Sequence, residues 1–213
     1  MKTLLASLVL GAAALGVTLP ASADVVPASY AANDTNGLGY DPNGVSGYLT
    51  VNWSDGFPNI GLVQFDLSSY APGSVSSAVL DLYHLYNSAQ GAQYGIFRNT
   101  SPWVGVTTDF ASRPSTDSLP SAVLILPDGG SFVHRTVDIT SLVQGWVNGA
   151  YANDGLTLQR LDGPNPFVYF IANDSSGYPG PVLLINAVPE PEALAMLLAG
   201  LGVLLVRRRR FVA

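Results

Sequence analysis

Apolar and polar side chains alternate along much of the chain, in short stretches separated by turn-forming residues. The longest stretch spans residues 75–86, where Leu80 and Leu82 fall on one face and Asp81 and Tyr83 on the other. A period of two is typical of β-strands, because successive side chains of a strand point to opposite faces. We therefore predict a strand here, and further strands at 48–53, 62–67, 94–98, 122–126, 132–138, 155–160, 167–173 and 181–186.

One segment has a different period. Its apolar residues recur at helical spacing and are Ile139, Leu142, Val143, Trp146 and Val147. Such a stripe predicts a short helix with one buried face, which places Trp146 in the core. Asp138 or Thr140 can cap the start of this helix, and Gly149 can end it. About nine short strands with one helix predict an all-β domain with a jelly-roll-like β-sandwich.

Turn-forming residues concentrate between positions 32 and 47, a stretch rich in Asn, Asp and Gly. These residue types tolerate left-handed backbone and form local side-chain hydrogen bonds, which favours a loop. Asp34, Asn36, Asp41 and Asn43 also supply oxygen ligands of the kind that calcium prefers, although their spacing does not match an EF-hand. Two interpretations stay open, a structural Ca²⁺ site and a plain turn-rich loop.

The first 23 residues have the pattern of an export signal. Lys2 supplies a positive start, residues 4–19 are mostly apolar, and Ala21 and Ala23 frame a small-residue cleavage site. This order is typical of a secretory signal peptide. We predict that signal peptidase cleaves the chain after Ala23.

The C-terminal tail, residues 188–213, consists of three blocks. A segment with two prolines comes first, then 14 residues without a charge at 193–206, then a basic cluster formed by Arg207, Arg208, Arg209 and Arg210. As a helix with a rise of ~1.5 Å per residue, the apolar block spans about 21 Å. A bilayer core is ~30 Å thick, so we predict a short, marginal transmembrane helix. Arginines resist entering lipid and stay on the cytoplasmic side, which places the preceding residues outside the cytoplasm.

Pro189, Glu190 and Pro191, followed by the apolar block and the arginines, resemble the PEP-CTERM sorting signal of Gram-negative bacteria. The resemblance covers residues 188–213. It implies that an exosortase recognises the Pro-Glu-Pro motif, removes the tail and passes the protein from the membrane to the cell surface or the extracellular matrix. An ordinary C-terminal anchor is the alternative interpretation.

The segment between signal and tail is acidic. Residues 24–187 contain four arginines, no lysine and 13 aspartates, which gives a formal charge of −9. Such a surface repels nucleic acid and anionic lipid, so we predict no nucleic-acid partner. The chain has no cysteine, which excludes disulfides, thiol catalysis and zinc–cysteine sites.

Three segments of this domain resemble the DNRLRE family, namely 64–69, 77–83 and 137–149. The first two look like the early strands of that family. The third, continued by Asn153 and Gly155, is similar to its helix-and-strand signature. The resemblance covers most of residues 25–187. It implies a jelly-roll domain related to carbohydrate-binding modules, found in bacterial surface proteins and beside polysaccharide-degrading enzymes.

Residues suited to catalysis are few. His84 and His134 fall on predicted strands, where a packed or surface role is expected. The only glutamates, Glu190 and Glu192, lie in the tail, so a glycosidase would need two aspartates as its carboxylate pair. Sequence motifs of serine hydrolases, zinc proteases and phosphate-binding loops are missing. We predict no catalytic residue and no enzyme activity.

Sugar binding needs exposed aromatic rings that stack on pyranose rings, with polar side chains nearby for the hydroxyl groups. Ser101, Pro102 and Trp103 fit the middle of the DNRLRE family, and this resemblance implies that Trp103 lies in the core. The candidate sugar-binding residues are Tyr40, Tyr48, Trp53, Tyr83 and Tyr94.

These patterns predict an exported, non-enzymatic protein of the cell surface or exopolysaccharide matrix, with a carbohydrate-binding-like β-sandwich and extracellular polysaccharide as its ligand. Two alternatives stay open. One is a purely structural matrix protein without a specific ligand. The other is a polysaccharide hydrolase or lyase that uses paired aspartates.

Overall fold

The computed structural model describes residues 23–34, 48–54, 57–87, 91–103, 112–126, 131–162, 168–172, 177–188 and 200. Within these ranges the chain forms ten strands and one helix. In chain order they are β1 (Asp24–Asp34), β2 (Tyr48–Ser54), β3 (Phe57–Phe65), β4 (Val75–Asn87), β5 (Ala92–Arg98), β6 (Ala122–Leu126), β7 (Val133–Asp138), α1 (Thr140–Val147), β8 (Leu156–Arg160), β9 (Val168–Ile171) and β10 (Val182–Ala187).

The nine strands predicted from alternation correspond to β2–β10 and are confirmed, as is the helix. Strand β1 is a correction. The sequence predicts a loop from position 32, but Ala32 and Asp34 belong to β1 and pair with Leu62 and Ile60 of β3. Backbone pairing with a neighbouring strand has outweighed the local preference of Asn and Asp for turns.

The strands pair antiparallel throughout the described residues and form two layers. Strands β10, β4, β9 and β7 make up the first layer, and β3, β8, β5 and β6 the second. Strand β1 joins the layers, because Asp24–Pro27 pair with β10 whereas Ala28–Asp34 pair with β3. Strand β2 does the same between β9 and β3. The predicted β-sandwich is thus supported, and its finer jelly-roll connectivity stays a prediction.

The core lies between the two layers. On β4, Leu80, Leu82 and His84 are fully buried, as the alternation predicts. The second layer faces them, since the ring of Tyr94 on β5 lies 6.3 Å from that of Phe170 on β9. Many apolar side chains from both layers belong to this single cluster. Burial of apolar area from both layers is the main force that holds the sandwich together.

Helix α1 packs against the start of β4. Trp146 is buried, as predicted, and Gln144 Nε2 donates a hydrogen bond to the carbonyl oxygen of Val75 at 3.0 Å. At the start of the helix, Asp138 Oδ1 accepts a hydrogen bond from the Thr140 backbone N–H at 2.8 Å. The helix ends at Val147, and Gly149, which follows the C-cap residue Asn148, has a φ of 70°, the left-handed conformation typical of this position.

Both ends of the domain leave the sandwich near the start of β4. Asp24 pairs with Ile185, which in turn pairs with Ala78 of β4. The Val188 backbone N–H donates to the Ser74 carbonyl at 2.6 Å. The predicted signal peptide up to residue 22, the sorting motif at 189–191, the apolar block at 193–206 and the arginines at 207–210 lie outside the described residues, apart from Gly200. Among the described residues, no helix has the length and hydropathy needed to cross a membrane.

Candidate functional site

Four aromatic side chains lie next to one another on the outer face of the first layer. Tyr83 comes from β4, and His134 occupies the directly opposite position on β7. Phe132 immediately precedes β7, and Tyr178 lies in the segment that leads into β10. We call these four residues the aromatic platform. It is assembled from three parts of the chain that are distant in sequence.

The rings of the platform contact one another in a continuous series. Tyr83 and Tyr178 are stacked, with ring centroids 4.9 Å apart and an interplanar angle of 19°. Tyr178 lies 6.0 Å from Phe132, and His134 meets Tyr83 edge-on at 5.0 Å. Phe132 is 57 % exposed and Tyr178 is 38 % exposed. Exposed, contiguous rings of this kind offer an apolar surface to the face of a sugar ring.

The backbone at Phe132 is held in an unusual conformation. Its φ of 61° is left-handed, which costs free energy for a residue with a Cβ atom. The Tyr83 hydroxyl donates a hydrogen bond to the Phe132 carbonyl oxygen at 3.2 Å and so links this segment to β4. Strained backbone clusters at active sites and ligand-binding segments, so the exposed ring of Phe132 is a candidate for ligand contact.

Polar groups border the platform. His134 Nδ1 lies 2.9 Å from a carboxylate oxygen of Asp81, and the Asp81 side chain is only 13 % exposed. Thr136 sits opposite Asp81 on β7. The face therefore combines stacked rings with an imidazole, a carboxylate and a hydroxyl group. Such side chains can exchange hydrogen bonds with sugar hydroxyl groups.

Comparison with protein families supports the same type of ligand. A family model for carbohydrate-binding module family 96 matches residues 17–187, which include all ten strands, the helix and the platform. The chain belongs to carbohydrate-binding module family 96. Modules of such families bind carbohydrate and are not catalytic. A search of curated proteins gave no match.

Three of the predicted sugar-binding residues have described side chains, and of these three the family 96 module brings Tyr83 into the platform. Tyr48 is half-buried, with its ring edge-on to Tyr169 at a centroid distance of 6.1 Å. The side chain of Trp53 and the whole of Tyr40 lie outside the described residues.

Tyr94 is a correction. Its side chain is fully buried between the layers, so it presents no ring face to a sugar. Burial raises the pKa of its hydroxyl group to about 12, an effect that the charge of Arg160 opposes and that of Asp162 reinforces. Tyr94 is therefore a core residue of the family 96 module.

Sequence reasoning missed three residues of the platform, Phe132, His134 and Tyr178. Phe132 is the first residue of the predicted strand 132–138 but lies just before β7 in the structure. Tyr178 stands between Gly177 and Pro179, outside the predicted strands. An aromatic residue outside the predicted strands, such as Tyr178, has no packing role that the strand pattern explains, and this is the signal by which the sequence indicates it. His134 was interpreted as a surface residue, and it is exposed, but its contacts with Tyr83 and Asp81 were not predicted.

Several other predictions concern packing. His84 is fully buried with its ring 5.7 Å from Phe170, as expected for a packed histidine. Trp103 is only half-buried, where a core position was predicted. Its Nε1 donates to the Asp154 carbonyl oxygen at 2.8 Å, and its ring lies edge-on to Tyr30 at 5.4 Å.

The predicted calcium ligands fall largely outside the described part of the chain. Asn36, Asp41 and Asn43 are not described, and of Asp34 only the backbone is. The ranges that the structure does describe contain no group of three His, Asp or Glu side chains able to hold a metal ion. The Ca²⁺ site stays a prediction.

Proposed function

We propose that this chain is an exported, non-enzymatic protein of the bacterial cell surface or exopolysaccharide matrix that binds polysaccharide through the aromatic platform. Membership of carbohydrate-binding module family 96 supports the ligand class. The platform supports the location of the site, because it provides exposed, contiguous rings with polar groups beside them.

The proposal includes processing at both ends of the chain. Signal peptidase removes the N-terminal segment after Ala23. An exosortase-like enzyme then recognises Pro189, Glu190 and Pro191 in the membrane-anchored precursor and removes the tail. The sequence pattern of the two ends supports this route.

The single observation that carries the binding proposal is the stacked pair of Tyr83 and Tyr178. An aromatic contact contributes ~0.5–1.5 kcal/mol beyond the area it buries. Loss of one ring of the pair is thus expected to weaken polysaccharide binding about tenfold, the equivalent of ~1.4 kcal/mol.

The expected loss of polysaccharide binding can be tested by affinity electrophoresis. The full chain is run in native gels, in a detergent without a sugar headgroup. The gels contain either neutral or uronic-acid-containing polysaccharides. We expect at least one polysaccharide to retard the natural chain, and Tyr178→Ala to reduce the retardation. The matched control is Tyr178→Phe, which keeps the ring and should be retarded like the natural chain. Leu119→Ala controls for loss of an exposed apolar side chain, since Leu119 is 75 % exposed.

The outcomes separate the candidate functions. Equal retardation of Tyr178→Ala and the natural chain would place the site elsewhere. No retardation by any polysaccharide would favour a structural matrix protein without a specific ligand. Release of reducing sugar during incubation would favour a hydrolase, and release of unsaturated products a lyase.

A further inference from the structure

A concave site lies away from the platform, where β3 ends and α1 packs against the sandwich. It is a cleft of about 590 Å³, which lies within the ~300–1,000 Å³ range of small-molecule sites. We call it the β3–α1 cleft. The residues that matter for its chemistry are Ser29, Gln64, Asp66, Tyr70, Trp146 and Asn153.

Hydrogen bonds between distant segments fix the polar wall of this cleft. Gln64 Nε2 donates to the Asn153 carbonyl at 3.3 Å, and Asn153 Nδ2 donates to the Phe65 carbonyl at 2.8 Å. Ser29 Oγ donates to the Gln64 carbonyl at 3.0 Å. Because these bonds use side-chain donors, they leave Gln64 Oε1 and Ser29 Oγ as acceptors in a preformed wall. A preformed wall lowers the entropy cost of holding a ligand.

The aromatic wall contains an unusual donor. Trp146 lines the cleft and is 6 % exposed, yet its Nε1 has no hydrogen-bond partner among the described residues. A buried N–H group without an acceptor is rare, because it has lost its hydrogen bonds to water. This N–H group is enclosed by protein, so Trp146 offers the cleft only the small exposed part of its ring. The half-buried ring of Tyr70 adds a second aromatic surface to the same cleft.

The charge of the cleft selects among ligands. Asp66 is exposed, and hydrogen bonds from Ser68 hold the pKa of its carboxyl group below the ordinary value, so it is ionised at neutral pH. A second carboxylate, that of Asp24, accepts a hydrogen bond from the Tyr70 hydroxyl at 3.2 Å. No arginine or lysine is among the described residues that line the cleft. The site is therefore rich in acceptors and negative, and it disfavours an anionic ligand.

We propose that the β3–α1 cleft is a second binding site, for a single uncharged sugar unit such as a chain end or branch. The two aromatic walls can contact the apolar face of the sugar, and its hydroxyl groups can donate to Asp66 and Gln64. This site is independent of the platform, which offers an open surface where the cleft offers a concave one.

The test is a titration of the ¹⁵N-labelled full chain in a detergent without a sugar headgroup, followed at the indole N–H resonances. The chain has three tryptophans, and Trp146→Phe assigns the resonance that belongs to Trp146. The probes are glucose, galactose and mannose, each compared with its own uronic acid. A hexose has few atoms, so we expect a dissociation constant of about 1–10 mM for at least one hexose. The corresponding uronic acid should bind at least about tenfold more weakly.

Two variants locate the effect. Asp66→Asn keeps the size of the side chain and should weaken the binding of the neutral hexose at least about fivefold. Tyr83→Ala removes a platform ring and should leave the Trp146 titration unchanged, even if it abolishes polysaccharide retardation. The proposal is overturned if no hexose shifts the Trp146 resonance at concentrations up to about 100 mM. It is also overturned if a uronic acid binds as tightly as its hexose, or if Asp66→Asn binds like the natural chain.

Discussion

The hydroxyl group of Tyr94 is buried in the core without a hydrogen-bond partner among the described residues. A buried hydroxyl group without a partner costs free energy, because folding removes it from water without compensation. Tyr94→Phe keeps the ring and its contact with Phe170 while removing this group. We expect this variant to raise the free energy of unfolding by about 1 kcal/mol at pH 7. Urea unfolding followed by tryptophan fluorescence measures the change.

The same residue makes a prediction about alkaline pH. Burial raises the Tyr94 pKa from 10.0 to about 12, so the folded state keeps a proton that the unfolded state has already lost. The stability linked to this proton is fully present below pH 10 and is lost as the pH rises towards 12. The advantage of Tyr94→Phe should therefore grow above pH 10 by up to about 1.4 kcal/mol per pH unit. A constant difference between pH 7 and pH 11 would contradict this account.

Individual residues were harder to predict than the strands that carry them. The alternation of β4 correctly placed Tyr83 outside and Leu82 inside. On β5 the alternation fails, because Tyr94, Gly95 and Ile96 are all buried in succession. A strand covered on both faces gives no period, so the orientation of Tyr94 depended on neighbours that only the tertiary structure supplies.

Two glycines at the boundaries of elements have the same backbone conformation in different surroundings. Gly149 lies just beyond the end of α1 with φ of 70°, and Gly155 precedes β8 with φ of 76°. A Cβ atom at Gly149 would meet nothing within 4 Å, whereas one at Gly155 would lie 2.5 Å from the Val63 carbonyl oxygen. An alanine at Gly149 would therefore suffer backbone strain alone, whereas an alanine at Gly155 would suffer backbone strain and a steric clash.

We expect Gly149→Ala to lower the free energy of unfolding by about 1–2 kcal/mol, the cost of left-handed backbone in a residue with a Cβ atom. Gly155→Ala should lower it by roughly 3 kcal/mol or more, because backbone must also move away from the new methyl group. Chemical denaturation of both variants beside the natural chain measures the difference. If both variants lost the same free energy of unfolding, the backbone of β3 and β8 would have to move apart around the new methyl group at no cost in stability.

The sequence predicted elements well where apolar residues alternate, but it missed β1. This strand contains Pro27 and several alanines, which have low strand propensity. Pro27 lies where β1 changes its partner from β10 to β3, and a register shift follows between Ala28 and Tyr30. Proline is tolerated at such irregular positions, where its missing N–H is not required. A strand that pairs first with one neighbouring strand and then with another has no signature in the local sequence.

At the scale of the whole molecule, the platform and the chain ends lie apart along β4. Both Asp24 and Val188 leave the sandwich near the start of this strand. Tyr83 lies eight residues beyond Val75, about 26 Å at a rise of ~3.3 Å per residue. A precursor held at the membrane by its tail would therefore present the platform away from the attachment point. The β3–α1 cleft lies near the chain ends, so the two proposed sites face different surroundings.

The acidic domain needs no basic surface for this arrangement, because only the tail is proposed to meet the membrane. The four arginines of the tail account for almost half of the nine basic residues of the chain. The charge of −9 on residues 24–187 instead keeps the domain away from anionic lipid. In the proposed arrangement, membrane orientation and surface recognition belong to separate parts of the sequence.

The sorting proposal makes its own prediction, because the tail contains two glutamates of which only one lies between prolines. We expect Glu190→Gln to leave export intact and to block removal of the tail, since the proposed processing enzyme reads the charged residue of the Pro-Glu-Pro motif. Glu192→Gln is the matched control and should be processed normally, as it removes the same charge two positions away. Mass spectrometry of the protein from membrane and secreted fractions measures the outcome. If Glu190→Gln yields the same mature mass and location as the natural chain, the tail acts as an ordinary anchor. If tail removal is blocked in both variants, processing needs negative charge before the apolar block rather than the Pro-Glu-Pro motif itself.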